Sequence, residues 1–159
     1  AAENIKIDVG CAVAREISSK ELVDIKKFSS EAKGIIQRRY IAEIIELRLA
    51  EIFETVDNEL KALGKAGQLA GGAVLVGGGA KMPGITELAI QKLRLTSQIG
   101  SPLSEEWLVE SPKLSESFED PEFAGALGLA LGGSDQESWK PVVTSPGFKL
   151  VNLLRYFNP

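Results

Sequence analysis

Histidine is absent from this 159-residue chain, and cysteine occurs once. Without histidine there is no Ser-His or Cys-His nucleophile pair and none of the usual zinc constellations. The lone Cys11 excludes an internal disulfide framework and a multi-cysteine metal site. It lies in the small-residue run Gly10-Cys11-Ala12-Val13-Ala14, which suits a buried structural thiol better than a reactive one. A basic excess is missing too. The 18 basic and 22 acidic residues leave a net charge of −4, which argues against a general nucleic-acid binder. No apolar run approaches the ~20 residues of a membrane span. No signal peptide opens the chain, so the expected location is the cytoplasm.

What is present is ordinary for an α/β protein. The chain is 44% hydrophobic and 25% charged, and its length suits one globular domain or two small lobes sharing a core. Ile5, Ile7 and Val9 alternate with Lys6 and Asp8 as a strand would, yet Ala2, Ile5 and Val9 also fit a helix closed by Gly10. Leu22 to Phe28 reads as a strand or hairpin arm, broken by Ser29, Ser30 and Gly34. Apolar residues then recur at three- and four-residue steps from about Ile36 to Leu63, predicting a long helix stopped by Gly64. Its wide stripe predicts packing on a sheet, with a coiled coil as the rival reading. Lys61 and Lys65 suit the negative end of its dipole.

Ala73 to Val76 is a short apolar run bounded by glycines, as a buried strand would be. A glycine turn follows, then a helix after Pro83-Gly84, then a strand over Thr96 to Ile99. That order predicts a right-handed βαβ unit with parallel strands. Residues 103–120 read as an acidic surface loop with a short helical turn at Ser104 to Leu108. Asp120-Pro121 has the form of a helix start, an Asp N-cap with Pro at the first position. The helix it opens, Phe123 to Leu131, carries Gly125 and Gly128, which predicts a backbone or ligand close by. A polar linker with Pro141 and Pro146 leads to an apolar-basic end, Gly147 to Pro159.

Three features bear on function. In Val76-Gly-Gly-Gly-Ala-Lys-Met-Pro-Gly84 the glycines let the backbone pass close to a flat ligand, although a tight βα turn without ligand has the same composition. It is not a P-loop, because Lys81 is not followed by Ser or Thr, and its spacing is not the Rossmann fingerprint. The long helix carries Arg38, Arg39, Glu43, Glu46, Arg48 and Glu51, most of which fit a solvated face of i,i+4 pairs. The end segment Gly147 to Phe157 fits an interfacial helix for an anionic membrane or an element docked on the domain.

Four stretches, in the right order, resemble the C-terminal half of the FtsA family of actin-like cell-division proteins. They are Ala2 to Ala12, Arg38 to Arg48 (with Leu47 where the family usually has proline), Val74 to Ile85, and Phe123 to Ala130. The third resembles the family's adenosine motif and the fourth its second connecting motif. The resemblance covers about residues 2–133. It implies an actin/ribonuclease-H-like lobe with a small α+β subdomain, lacking the N-terminal lobe. Residues 1–35 would belong to the small subdomain, 36–133 to the lobe, and 134–159 to a linker and tail. Gly77, Gly78, Gly79 and Ala80 would approach the adenosine of ATP or ADP, with Met82 lining the base pocket. Arg38, Arg39 and Glu43 would face the nucleotide, and Arg48 would dock the acidic C-terminal tail of FtsZ.

The resemblance also implies self-association into actin-like filaments, membrane contact through residues 147–158, and a place at the cytoplasmic face of the inner membrane at the division site. The family's phosphate-binding turns and metal-positioning acids lie upstream of the matched stretch. Magnesium would therefore be held by the other lobe, and this stretch alone is not expected to hydrolyse ATP. The rival expectations are a piece of another actin-like ATPase, of pilus-assembly or cell-shape type, and an α/β structural domain without ligand.

Overall fold

A computed structural model describes residues 1–29, 34–102 and 118–134. The chain divides into two compact units, Ala1–Gly125 and Ala126–Pro159. The expected acidic loop, except for its last three residues, lies outside the described residues, as do the helical turn at Ser104 to Leu108, the proline-bearing linker and the segment Gly147 to Phe157.

The ambiguous opening stretch is helical. Helix α1, Ala2–Val9, ends where Gly10 donates its N–H to Lys6 O at 3.0 Å. The helix half-buries Ile5 and Val9, one turn apart, and leaves Ile7 exposed. A Glu3–Lys6 pair at 2.6 Å supports it locally. The next residues run through the interior: Cys11, Ala12, Val13 and Ala14 are all buried. Ala12 N–H donates to Pro83 O at 2.8 Å, so small side chains here let this backbone approach the neighbouring loop.

Strands β1, Leu22–Asp24, and β2, Ile35–Gln37, pair antiparallel with Val23 opposite Ile36. The hairpin arm is shorter than expected because Asp24 accepts the Lys26 N–H at 3.0 Å and turns the chain into a 3-10 turn, Ile25–Lys27. Pairing of β2 also moves the start of the long helix. Helix α2 spans Arg38–Ala62, since Ile35–Gln37 is held in the hairpin. Its end follows expectation: Gly64 and Lys65 N–H groups donate to Lys61 O and Leu60 O at 2.9 and 2.8 Å. The expected packing of α2 on a sheet is corrected. It packs against helix α3, Ile85–Leu93, and Ile41, Ala42 and Phe53 are its buried residues. Leu49 and Leu60 are half-buried against the principal core and Ile45 is half-buried, while Ile44, Ile52, Val56 and Leu63 of the stripe are exposed.

Strands β3, Ala73–Leu75, and β4, Ser97–Ile99, pair parallel on either side of α3, which gives the expected βαβ order. β3 is not the fully buried strand expected. In this two-stranded sheet only Ala73 and Leu75 pack on the core, while Val74, on the other face, is 53% exposed. The principal core joins Ala12 and Val13 to Phe53 of α2 and to Ile85, Leu88, Ala89, Leu93 and Leu95. In α3, Ile85, Leu88, Ala89 and Leu93 follow the i, i+3, i+4 spacing that places them on one face. Cys11, Ala14, Ile17 and Ala42 form a second cluster, so Cys11 is the buried free thiol that its neighbours suggested.

Asp120 starts the last element as expected. Its carboxylate accepts the Glu122 N–H at 2.9 Å and Pro121 follows, opening a 3-10 turn, Pro121–Phe123. Helix α4 continues over Ala124–Ser134, past Gly132-Gly133. Among the described residues, a Cβ placed at Gly125 or Gly128 would meet nothing within 4 Å. The close backbone expected from those glycines is therefore not found among them.

Candidate functional site

The chain leaves β3 through Val76 and reverses at Gly77, whose φ of 89° with ψ of 171° is a conformation that only glycine adopts without strain. Gly78–Lys81 form a 3-10 turn, closed by Ala80 N–H donating to Gly77 O at 3.0 Å and Met82 N–H to Gly79 O at 3.2 Å. Hydrogen bonds within the turn thus set its shape, and glycines leave its outer face bare. Among the described residues, a Cβ at Gly77 or Gly79 would meet nothing within 4 Å, and one at Gly78 would meet only the Glu122 side chain at 3.7 Å. Ala80 is buried, and Met82 is half-buried against the principal core.

The turn is fastened at both ends to the residues that open α4. Gly77 N–H donates to Pro121 O at 2.7 Å. Lys81 Nζ lies 2.8 Å from Asp120 Oδ2 and 3.1 Å from Glu122 Oε2. The hydrogen bond from Lys81 holds the Asp120 carboxyl below its ordinary range, helped by the Glu122 N–H. Asp120 and then Glu122 in turn hold the lysine above its ordinary value. Sequence reasoning missed this clamp. The capping signal at Asp120-Pro121 was readable, but the pairing spans 39 residues and no local spacing announces it.

The charged residues of α2 divide differently from expectation. Arg38 Nε donates to Val9 O and its Nη1 to Glu21, both at 2.9 Å, so this guanidinium knits the end of α1 to the hairpin. It also holds the Glu21 carboxyl below its ordinary range through that hydrogen bond. Arg39 pairs with Glu43 one turn on, at 3.3 Å. Glu46 accepts the Ala14 N–H at 2.7 Å. Arg48 projects outward, its side chain 80% exposed, and meets Glu51 at 2.6 Å. The structure thus brings Arg39 together with Glu43, and the three glycines with Ala80 and Met82 along one turn. Among the described residues no group of three or more histidine, cysteine or acidic side chains is placed to hold a metal ion. Nor, among them, is any helix long and apolar enough to cross a membrane.

A βαβ unit with an open glycine turn, joined to a small hairpin and a long helix, defines a mixed α/β protein. The family model described as Cell division protein FtsA matches residues 1–128. The chain therefore belongs to the FtsA family. It is 35% identical over 139 residues to the cell division protein FtsA of Borreliella burgdorferi, covering 87% of this chain and 32% of that relative. To FtsA of Escherichia coli (strain K12) it is 29% identical over 141 residues, 84% of this chain and 32% of the relative. To FtsA of Bacillus subtilis it is 37% identical over 101 residues, 64% of this chain and 23% of the relative. The chain spans about a third or less of the length of these relatives.

Proposed function

We propose that the chain supplies the adenosine side of an ATP or ADP cleft in an FtsA-type cell-division protein, and a docking surface for the C-terminal tail of FtsZ. The observation that carries the first half is the bare face of the Gly77–Gly79 turn, where among the described residues only the Glu122 side chain stands within 4 Å of a would-be Cβ. In this reading Gly77, Gly78, Gly79 and Ala80 form the wall, and Met82 borders the base. Arg39 and Glu43 approach the nucleotide from α2, whereas the Arg38 guanidinium stays on Val9 O and Glu21 and positions the start of that helix. The nucleotide supplies the phosphoanhydride; this chain's own residues bind and orient its adenosine end. Cleavage of the γ-phosphate, and magnesium with it, is assigned to residues outside this chain.

Arg48 carries the second half, because an exposed guanidinium on a helix face beside exposed Ile44 and Leu47 suits an acidic peptide with apolar anchors. Together with self-association into filaments and membrane contact through residues 147–158, these features would tether FtsZ filaments to the cytoplasmic face of the inner membrane at the division site. The test of the cleft is Gly79→Leu in the complete protein. A Cβ there meets nothing within 4 Å among the described residues, so the thermal midpoint should stay close to that of the parent while binding of a fluorescent ATP analogue is lost. Unaltered affinity in a folded Gly79→Leu protein sinks the reading.

A further inference from the structure

Both ends of the glycine turn are fastened to one short segment. Gly77 N–H donates to Pro121 O at 2.7 Å, and Lys81 Nζ meets Asp120 and Glu122 at 2.8 and 3.1 Å. Asp120 is itself held in place, because its Oδ1 accepts the Glu122 N–H while Oδ2 takes the lysine. One carboxylate thus caps the turn that opens α4 and anchors the glycine turn. Between the two fastenings stand Gly78, Gly79 and Ala80, and glycine has the largest backbone freedom to lose on ordering. Among the described residues, Gly77 and Gly79 have no packing neighbours where a Cβ would be. Their conformation has to be set by hydrogen bonds, within the turn and at its ends.

We propose that Lys81 is the positioning residue of this turn: by clamping Asp120 and Glu122 it holds the Gly77–Gly79 backbone open-faced against that segment, without itself touching the ligand. The proposal rests on the reading of the turn as a nucleotide wall. A lone exposed ion pair contributes little, but here one ammonium meets two carboxylates, of which one is already fixed by its capping bond. The competing role for Lys81 is a free cation offered to the ligand. That role would need Nζ to leave two acceptors already in hydrogen-bonding range.

The test uses the complete protein and two readouts, amide exchange at Gly77 to Ala80 without ligand and affinity for ATP. Lys81→Met and the double variant Asp120→Asn with Glu122→Gln remove opposite sides of the clamp, and Asn at 120 keeps a capping acceptor. Both are expected to speed exchange at Gly77 about tenfold and to weaken ATP binding by similar factors. Combining them should add nothing further, and Lys81→Arg should restore both readouts. Unchanged exchange in both variants overturns the proposal. So does weaker ATP binding in Lys81→Met with unchanged or tighter binding in the carboxylate variant, because Lys81 would then be a ligand contact. A parent protein that binds no ATP, yet shows the clamp-dependent exchange, upholds the positioning role and overturns the nucleotide reading instead.

Discussion

The Glu46 carboxylate of α2 accepts the Ala14 N–H at 2.7 Å, tying the long helix to the buried small-residue segment. That N–H opens a 3-10 turn beside the cluster of Cys11, Ala14, Ile17 and Ala42, where an unpaired donor would be costly. Glu46→Ala is expected to cost about 1.5–3 kcal/mol, the range for a hydrogen bond to a charged group. Glu46→Gln, which keeps an acceptor oxygen, should cost less. Urea unfolding measures both, and an Ala variant within about 0.5 kcal/mol of the parent would show the bond to be idle.

Glu46 also marks where reading the sequence stops. Its spacing on α2 fits a solvated face, and its partner lies 32 residues away in the chain. Elements with local signals were legible: α3 by its buried four, the stop at Gly64, the cap at Asp120 and the parallel β3–β4 pair. The start of α2 was not, because Ile36 continues the helical period yet is claimed by Val23 across the hairpin. The wide apolar stripe misled for a similar reason. Periodicity states which residues share a face but not what covers them, and Ile44 remains 55% exposed. At the candidate site the glycine turn was readable from composition, whereas the Lys81 clamp was hidden by sequence separation.

Gly72 stands against Thr96 at the base of the βαβ unit, where Ala73 N–H donates to Thr96 O at 2.8 Å. Its φ of 69° lies in the left-handed region, and a Cβ would collide with the Thr96 carbonyl and hydroxyl. Gly72→Ala should therefore lose about 1–3 kcal/mol from conformation alone, and more from the clash. Because Thr96 is backbone-bonded at that point, it has little room to retreat. Circular dichroism melts should show a lowered midpoint. A midpoint equal to that of the parent would mean that the β3–β4 register relaxes without cost.

The clamp at Lys81 has a defined pH window. Asp120 is held below its ordinary range, so its contribution is present above the usual carboxylate pKa and is lost as pH falls through the lowered value. Lys81 is held above its ordinary value, so its contribution is present below the usual lysine pKa and is lost as pH rises through the raised one. The clamp is therefore intact across neutral pH and opens only toward the two extremes. Its effect on global stability should be small, since all three side chains are solvent-accessible and screened. The sharper observable is the carboxyl of Asp120 followed by NMR titration. Lys81→Met should move its midpoint upward, toward the ordinary aspartate value. An unmoved midpoint would mean that the Glu122 N–H alone sets it.

Arg48 separates binding from folding. Its partner Glu51 is three residues on, at 2.6 Å, and both side chains are largely exposed, so Arg48→Glu should change stability by no more than about 0.5 kcal/mol. If the surface of α2 around Ile44, Leu47 and Arg48 docks an acidic FtsZ tail, the same change places like charge opposite the peptide and should abolish binding in a fluorescence-anisotropy titration. Arg48→Lys keeps the charge but loses the planar fork that grips a carboxylate with two parallel hydrogen bonds. It should fall between the two. The order Arg, Lys, Glu in affinity, with melting temperatures unchanged, is the expected result. Equal affinity for all three would remove Arg48 from the docking surface and leave its pair with Glu51 as an ordinary solvated contact.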